Sequence, residues 1–263
     1  MKRLNNKLCV VTGAGRGIGA AIARHFVIEG ASVTVTDKTL RSAQDIATKI
    51  GAEARFLDVS EERHWDDFAV EFPQIDVLVN NAGVTGFEDS IVAHDPENAC
   101  LSDWRDVHRV NLDGTFLGCR YAIRAMREKQ AGSIINISSR SGLVGIPRAA
   151  AYASSKAAIR NHTKTVALYC AEEGLKIRCN SIHPAAILTP MWEPMIGNGP
   201  DRSARMQAFV ADTPLRRFGT VDEIAAVCVM LASDEAPYIT GTEFAVDGGL
   251  LAGSIATPKP PGA

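Results

Sequence analysis

Short apolar segments alternate with segments of helical periodicity along almost the whole chain, and this alternation constrains the fold more than any other feature. The apolar segments are strand-length and rich in β-branched residues, as is typical of strands buried on both faces of a sheet. Predicted strands lie near 8–11, 32–36, 54–58, 75–80, 133–138, 176–182 and 242–246, and predicted helices near 17–29, 39–50, 61–71, 102–128, 149–173 and 221–232. The pattern predicts an α/β fold with a single doubly wound parallel sheet of about seven strands and helices on both faces.

The chain has 263 residues, which suffices for one large domain or two small ones. No linker rich in Pro, Gly or Ser divides it and no internal repeat is present, so we expect a single domain over residues 1–263. Residues 188–212 stand apart as a segment that is interrupted by Pro and Gly and then becomes a short helix. The C-terminal residues 253–263 are rich in proline and are expected to be neither helix nor strand.

The first predicted strand runs into a glycine-rich loop that opens a helix. Residues 8–19 read LCVVTGAGRGIG, with glycines at Gly13, Gly17 and Gly19. Strand, glycine loop and helix N-terminus form a cradle for a phosphate, because glycine lets the backbone approach the ligand and the helix end presents free N–H groups. The spacing is G-x-x-x-G-x-G rather than G-x-G-x-x-G, since Ile18 stands where the second pattern has glycine. It predicts a Rossmann-type dinucleotide site; a tight turn without a ligand is the alternative.

An aspartate at the end of the second predicted strand indicates which dinucleotide binds. Asp37 lies 18 residues after Gly19, close to the spacing of the carboxylate that holds an adenosine ribose. Its charge would repel a 2′-phosphate by about a few kcal/mol at a separation of some 4 Å. We therefore expect NAD rather than NADP. Arg16 and Arg41 argue the other way, since either could pair with a 2′-phosphate.

A serine, a tyrosine and a lysine suggest the chemistry. Tyr152 and Lys156 lie four residues apart in an Ala-rich helical segment and so share one helix face. A neighbouring ammonium lowers the pKa of a phenol, which suits tyrosine for proton transfer. Ser139 ends an apolar strand 13 residues upstream of the tyrosine and could hold a substrate oxygen. The Tyr-x-x-x-Lys spacing is common by chance, and a solvated helix face is the alternative.

Five residues that end predicted strands indicate a single site. They are Gly13, Asp37, Asp58, Asn80 and Ser139. In open α/β sheets, ligands bind outside the carboxyl ends of the strands, so these residues are expected to meet at one edge.

These motifs together resemble the short-chain dehydrogenase/reductase family, over about residues 5–250. TGAGRGIG (12–19) is similar to the family's cofactor loop, NNAG (80–83) to the end of its fourth strand, and residues 184–189 to the segment that holds the nicotinamide carboxamide. The cofactor-binding residues implied are Gly13, Arg16, Gly17, Ile18, Gly19, Asp37, Asp58, Val59, Asn80, Ala82, Gly83, Tyr152, Lys156, Pro184, Ile187 and Thr189. One departure is Ala185 where the family usually has glycine, so this loop must differ if the family's glycine needs a positive φ.

The resemblance also implies catalytic roles. Ser139, Tyr152 and Lys156 match the family's catalytic set, and Asn111 in the VNLDG run matches an asparagine that props a water linking the lysine to solvent. The implied activity is that of an NAD-dependent oxidoreductase that moves a hydride between the cofactor and a secondary alcohol or ketone. Tyr152 would carry the proton, and Lys156 would also hold the nicotinamide ribose.

The substrate is less constrained by the sequence. The family uses the segment at 188–212 as a substrate lid, and here the segment is apolar. Candidate substrate contacts are Met191, Trp192 and Met195 in the lid, with Leu143, Val144 and Ile146 near the catalytic serine. They favour a bulky apolar substrate such as a hydroxysteroid or cyclic alcohol. The same side chains could instead only pack the lid onto the body, and Arg140 could recognise an acidic group.

Two other functions stay open. One is an NADPH-dependent 3-oxoacyl thioester reductase, which would have the same fold and catalytic residues; Asp37 argues against it. The other is a catalytically silent binding protein, which has no chemical need for all three of Ser139, Tyr152 and Lys156.

Charge, hydropathy and cysteine usage argue against several other classes of protein. The net charge of −2 shows no basic stripe for nucleic acid, and no apolar run is long enough to span a bilayer. The first strand begins by residue 8, which leaves no room for a signal peptide. Six cysteines without a C-x-x-C pair indicate reduced thiols and a cytoplasmic protein.

No metal site is predicted: the polar loop at 88–100 lacks a metal spacing and is interpreted as a wall or gate of the substrate entrance. The resemblance implies a homotetramer joined through the helices near 102–128 and 149–173.

Overall fold

The computed structural model describes residues 2–88 and 92–253. Its centre is a seven-stranded parallel sheet with the strand order β3-β2-β1-β4-β5-β6-β7. The strands are β1 (Leu8–Val11), β2 (Ser32–Asp37), β3 (Glu53–Phe56), β4 (Val77–Asn80), β5 (Ala131–Ile137), β6 (Lys176–Pro184) and β7 (Glu243–Val246). The order reverses between β1 and β4, which is the switch point where a doubly wound sheet opens a crevice for a ligand. The predicted α/β, Rossmann-type fold is confirmed.

Helices cover both faces of the sheet. They are α1 (Gly17–Ile28), α2 (Leu40–Ile50), α3 (Glu62–Glu71), α4 (Leu101–His108), α5 (Gly114–Met126), α6 (Ala150–Glu172), α7 (Glu193–Ile196), α8 (Arg202–Phe209) and α9 (Val221–Ala232). Phe26 of α1 and Ile224 of α9 are buried in the core on one face, and Trp65 of α3 and Met126 of α5 in the core on the other. The central strands are therefore sandwiched between two apolar layers, which explains why their segments of the sequence are almost continuously apolar, whereas the edge strands β3 and β7 are half-buried or exposed.

One predicted helix is divided. The expected helix near 102–128 is α4, then a π-helical turn at Arg109–Asp113, then α5. The side-chain hydroxyl of Thr115 donates to the Asn111 carbonyl at 2.7 Å within this widened turn. A π turn inserts one extra residue without changing the apolar periodicity on either side, so the sequence pattern does not reveal it.

The segment at 188–212 contains a 3₁₀ turn at Pro190–Trp192 and the short helices α7 and α8, so its predicted short helix is confirmed. Of the predicted proline-rich tail, only Gly253 lies within the described residues. Across 2–88 and 92–253, no helix combines the length and the apolar character required to cross a bilayer. All six cysteines are free.

Candidate active site

The glycine loop between β1 and α1 needs glycine for its backbone path. Gly13 and Gly17 have φ values of +59° and +58°, in the region that side chains rarely adopt. A Cβ on Gly13 would lie 2.7 Å from the Ala82 Cα, and one on Gly17 would lie 3.7 Å from the Thr189 Cβ. The loop therefore faces the residues that follow β4 on one side and those that follow β6 on the other. These are the walls of the crevice at the switch point.

Two residues that sequence reasoning missed hold this loop in place. The Thr12 side-chain oxygen accepts from the backbone N–H groups of Asn81 and Ala82 at 3.0 and 3.1 Å. The Asn81 amide donates to the carbonyls of Thr12 and Gly13 at 2.9 and 3.0 Å. Thr12 and Asn81 thus join the ends of β1 and β4. The sequence offered one signal for these two residues. Thr12 directly precedes the first glycine of the loop, and Asn81 is the second residue of NNAG.

Asp37 ends β2 beside the glycine loop. Its carboxylate accepts the Gly15 N–H at 3.1 Å and the Thr39 N–H at 2.9 Å, so its orientation is fixed by backbone donors. Arg41 forms an ion pair with Asp45 at 3.1 Å, and Arg16 is exposed. The carboxylate is thus held at the position where the sequence predicted a ribose contact. Arg41 is engaged elsewhere.

Asp58 and Val59 lie beyond the end of β3, because the strand stops at Phe56 rather than at the predicted residue 58. Burial raises the pKa of Asp58, but hydrogen bonds from Ser60 outweigh it, and the pKa lies below its ordinary value. The Val59 side chain is buried against the Gly114 position, where an added Cβ would lie 2.7 Å from it. Only the Asp58 carboxylate therefore remains polar and partly accessible here.

The Asn80 side chain is engaged within the protein. The residue is buried, and its amide donates to the Asn136 side chain of β5 at 2.8 Å. The two asparagines are directly paired in the β4–β5 register. A Cβ on Gly118 would lie only 2.1 Å from the Asn80 Oδ1, so α5 packs closely against this side chain. A contact between Asn80 and a cofactor must therefore use its backbone.

Gly83, Asn111 and Lys156 come together at the crevice. A Cβ on Gly83 would lie 3.1 Å from the Asn111 Oδ1 and 3.2 Å from the Lys156 Nζ. Asn111 is fully buried; its side chain accepts from the Val84 N–H at 2.8 Å and donates to the Val84 carbonyl at 2.9 Å and to the Ser155 hydroxyl at 3.0 Å. Asn111 thus ties the segment after β4 to the helix that carries Lys156.

Ser139 follows β5 and is nearly buried. It precedes a 3₁₀ turn at Arg140–Gly142, and its hydroxyl oxygen accepts the Ser141 N–H at 3.1 Å. The neighbouring Ser138 hydroxyl donates to the Lys156 carbonyl at 2.8 Å. The end of β5 is therefore attached to α6, which carries the tyrosine and lysine of the predicted catalytic set.

Tyr152 and Lys156 share one face of α6, as predicted. The Lys156 Nζ lies 5.7 Å from the centre of the Tyr152 ring and donates to the Ile137 carbonyl at 3.0 Å. The expected lowering of the Tyr152 pKa is wrong for the protein without ligands. Burial raises this pKa above its ordinary value and outweighs the hydrogen-bonding interaction with Ser139. Burial also lowers the pKa of Lys156 to about 8.

The segment after β6 keeps an ordinary backbone at Ala185. The non-glycine residues with positive φ in the described chain are Asn6, Gln130 and Arg216, so Ala185 is not strained. Its N–H donates to the Val246 carbonyl at 3.1 Å, which continues the pairing of Pro184 with β7. Alanine is therefore compatible with the backbone that this loop adopts.

The predicted substrate residues differ in their packing. Leu143, Ile146, Met191, Met195 and Arg140 are half-buried, and Val144 is exposed. Trp192 packs edge-on against Phe209 and Phe218, with ring centres 5.0 and 5.4 Å apart. For Trp192 this packing supports the alternative to a substrate contact, namely that the side chain attaches the lid to the body.

The polar loop after β4 is fastened to α6. His94 is buried, its ring Nε2 lies 3.0 Å from the Gly86 carbonyl, and its own carbonyl accepts the Ala150 N–H at 2.9 Å. No cluster of three or more His, Cys, Asp or Glu side chains suited to a metal ion occurs in 2–88 or 92–253. The part of this loop at 89–91 lies outside the described residues.

Comparison with known proteins places this arrangement in a family. Residues 13–251 match the family model described as enoyl-(acyl carrier protein) reductase. An NADP-dependent (R)-specific alcohol dehydrogenase of Lentilactobacillus kefiri is 40% identical over 95% of this chain and 98% of its own. A 3-alpha-(or 20-beta)-hydroxysteroid dehydrogenase of Mycobacterium bovis is 38% identical over 95% of this chain and 92% of its own. A cyclopentanol dehydrogenase of Comamonas testosteroni is 36% identical over 96% of this chain and all of its own.

Among solved structures, one titled ribose-5-phosphate isomerase from Brucella melitensis superposes with a TM-score of 0.83 at 31% identity, covering 95% of this chain and 93% of the other. The similarity of sequence and of fold extends over nearly the full length in each case. The glycine loop at the switch point, the Ser139–Tyr152–Lys156 grouping and these full-length relatives lead to one conclusion: the chain belongs to the short-chain dehydrogenase/reductase family.

Proposed function

We propose that the protein is an NAD-dependent dehydrogenase of secondary alcohols, reversible to ketone reduction, with a bulky apolar substrate. The observation that carries the proposal is that the Ser139 side chain is hydrogen-bonded to Tyr152, which shares a helix face with Lys156, and that Lys156 lies beside Gly83 at the same sheet edge as the glycine loop. A proton-transfer group next to a dinucleotide cradle supports oxidation of a carbon–oxygen bond. The alcohol dehydrogenases among the relatives support the same reaction class.

The crevice fits a dinucleotide. Side chains at Gly13 and Gly17 would be strained, and one at Gly13 would collide with Ala82, so the loop presents bare backbone N–H groups at the start of α1. These groups would hold the pyrophosphate, Asp37 the adenosine ribose, and Lys156 the nicotinamide ribose. When bound, the nicotinamide supplies the acceptor or donor of the hydride.

Asp37 is the basis for proposing NAD. Its carboxylate is fixed by two backbone N–H groups, so it cannot swing away from a 2′-phosphate without losing both hydrogen bonds. The relative from Lentilactobacillus kefiri is named NADP-dependent, and Arg16 and Lys38 are exposed near Asp37. The Asp37 carboxylate is nevertheless hydrogen-bonded to the Gly15 N–H of the glycine loop, so it would repel a phosphate bound there directly.

The catalytic residues take separate roles in alcohol oxidation. The Ser139 hydroxyl holds the substrate oxygen, and Tyr152 accepts the proton from the substrate hydroxyl. Because burial raises the Tyr152 pKa, the phenolate needs a nearby positive charge. Lys156 supplies it, since its pKa of about 8 keeps it mostly protonated at neutral pH. Asn111 fixes the segment after β4 and, as a proposal from the family, supports the water that returns the proton to solvent.

The substrate side supports an apolar molecule. Leu143, Ile146, Met191 and Met195 are half-buried, so part of their apolar surface remains available to a substrate. Methionine side chains adapt to irregular shapes, as a steroid or cyclic alcohol requires. The relatives named for hydroxysteroids and cyclopentanol agree with this class. Arg140 is the one charged residue among the candidate substrate contacts.

A 3-oxoacyl thioester reductase that uses NADPH is the second candidate. The family model's description names the acyl carrier protein, which agrees with a thioester substrate, and one relative is named NADP-dependent, which agrees with the cofactor; Asp37 opposes NADPH. A silent binding protein is more remote, because Ser139, Tyr152 and Lys156 are all in place.

A spectrophotometric screen tests the proposal. NAD+ and NADP+ are each offered with hydroxysteroids, cyclic alcohols and sugar alcohols, and NADH and NADPH with a 3-oxoacyl thioester. We expect NADH formation with an apolar cyclic or steroid alcohol. Thioester reduction with NADPH alone would favour the second candidate, and no turnover with any combination would favour the silent protein.

We also propose a homotetramer joined through the α4–α5 region and α6. Large apolar side chains are exposed on these helices, among them Phe116 and Leu168, with the small Ala157 also exposed. Light scattering should give four times the chain mass. A monomer at micromolar concentration would contradict this assembly.

A further inference from the structure

A histidine next to the catalytic serine is not used by the roles above. His183 lies near the end of β6, the strand beside β5, and is fully buried. Its Nδ1 lies 3.1 Å from the Ser139 carbonyl oxygen, and its Nε2 lies 2.8 Å from the Ser181 hydroxyl. Both ring nitrogens are therefore engaged in a place that water does not reach.

The partners fix which nitrogen carries the proton. A carbonyl oxygen only accepts, so Nδ1 must donate to Ser139. In the neutral ring, Nε2 then accepts from the Ser181 hydroxyl. Burial lowers the pKa of His183, and of the charged groups around it Glu243 opposes this effect while Arg160 and Lys156 reinforce it. The ring is therefore neutral and held in the Nδ1–H form.

The hydrogen bond from His183 reaches a carbonyl with little other support. The β5–β6 ladder ends with the pair Ile137 and Ile182, and the Ser138 N–H makes one further bond to Ile182. Beyond it the chain turns, and the Ser139 carbonyl accepts from the Gly142 N–H at 2.9 Å and from His183. Without His183, the Ser139 carbonyl would keep a single bond from within its own turn, where the Ser139 hydroxyl also accepts the Ser141 N–H.

We propose that His183 is a positioning residue that sets the location of the Ser139 hydroxyl by anchoring its carbonyl to β6. The inference deepens the proposed function and rests on it for its kinetic part. A misplaced serine hydroxyl no longer meets the substrate oxygen while the hydride is transferred. The effect should fall on kcat, because the glycine loop and Asp37 bind the cofactor elsewhere in the crevice.

Amide substitutions separate the two nitrogens of the ring. His183→Asn keeps a donor at the position of Nδ1 and loses the contact with Ser181. His183→Gln places its amide near the position of Nε2 and loses the contact with Ser139. Ser181→Ala removes the second partner and leaves the first. We expect kcat to fall by about a hundredfold in His183→Gln, since a displacement of about 1 Å has this effect, and by less than about fivefold in His183→Asn and Ser181→Ala.

The dissociation constant of NADH, measured by fluorescence titration, should stay within about twofold of wild type in all three variants. Equal losses of kcat in His183→Asn and His183→Gln would overturn the proposal, because the side chain would then only fill space.

A second readout needs no substrate and so separates this inference from the proposed function. In protein labelled with ¹⁵N-histidine, the His183 ring should be neutral with its proton on Nδ1 at neutral pH. A proton on Nε2, or on both nitrogens, would overturn the anchoring role. If wild type oxidises no alcohol, the proposed function fails, while the tautomer still decides whether His183 donates to Ser139.

Discussion

The floor and the lid of the crevice are built differently. The floor, defined by Asn111, Ser139, Tyr152 and Lys156, lies on strand ends and on the long helix α6, and its side chains or backbones are hydrogen-bonded to neighbouring elements. The lid, residues 188–212, consists of a 3₁₀ turn and two short helices; Ile196 and Val210 are buried, and its other apolar side chains are half-buried or exposed. On the proposed function, the reaction would fix the floor, whereas the lid would be free to differ with the substrate.

The largest expected effect comes from removing the proton carrier of the floor. Tyr152→Phe keeps the ring and its packing but removes the hydroxyl. We expect kcat to fall by about 10²- to 10⁴-fold, the usual contribution of a general acid or base, with NADH binding unchanged. Steady-state kinetics and a fluorescence titration measure the two effects. Tyr169→Phe, at an exposed position of the same helix, serves as the control. Substantial turnover by Tyr152→Phe would remove Tyr152 from the mechanism.

The floor should also lower the free energy of unfolding at neutral pH, because it buries a lysine, whereas the lid should not. Burial lowers the pKa of Lys156 to about 8, from 10.5 for an ordinary lysine. Between these values the unfolded chain binds more protons than the folded one, so stability rises with pH. In the cofactor-free protein, the free energy of unfolding of wild type relative to Lys156→Met should rise by about 3 kcal/mol across this range.

Urea unfolding at several pH values measures this difference. Lys176→Met is the matched control, since Lys176 is exposed and should show no such trend. A difference between wild type and Lys156→Met that is independent of pH would show that the lysine is not destabilised by burial.

The cofactor-binding end of the crevice, outside the floor itself, is tested by Asp37→Asn, which retains the shape of the side chain and removes its charge. The ratio of kcat/KM for NAD+ to that for NADP+ should fall by about ten- to a hundredfold, as expected when repulsion at some 4 Å is lost. Asp67→Asn, exposed on α3, provides the control. An unchanged ratio would mean that Asp37 does not select the cofactor.

The smallest effect should come from the lid and should depend on the substrate. Met191→Ala removes apolar contact and should lower kcat/KM by about tenfold for a bulky apolar alcohol. A small alcohol such as 2-propanol should be affected much less. Gln207→Ala, exposed on α8, is the control. Equal losses for large and small alcohols would mean that the lid affects catalysis generally, and the contrast with the floor would disappear.

Much of this architecture follows from the sequence alone, because local patterns determine it. The strand–helix alternation predicts the sheet, and strand ends place Gly13, Asp37 and Ser139 at one edge. The four-residue spacing of Tyr152 and Lys156 places both on one face of α6. These features need only helix and strand periodicity and the rule for parallel sheets.

Features that depend on contacts between distant segments could not be predicted. The Asn80 side chain points away from the crevice because it pairs with Asn136, and that pairing depends on the register of β4 and β5. The direction of the Tyr152 pKa shift depends on how deeply α6 is buried. The contact between His183 and Ser139 requires β5 and β6 to be neighbours, which the chain order does not reveal.

Transfer of an isotope tests the central claim most directly. A cyclic or steroid alcohol deuterated at its carbinol carbon is incubated with the protein and NAD+, and the reduced cofactor is analysed by mass spectrometry. The account predicts that one deuterium moves from the alcohol to the nicotinamide, and that Tyr152→Phe abolishes this transfer while still binding NADH. If the cofactor stays unreduced with every alcohol of the screen, or if the reduced cofactor carries no deuterium, the account is contradicted.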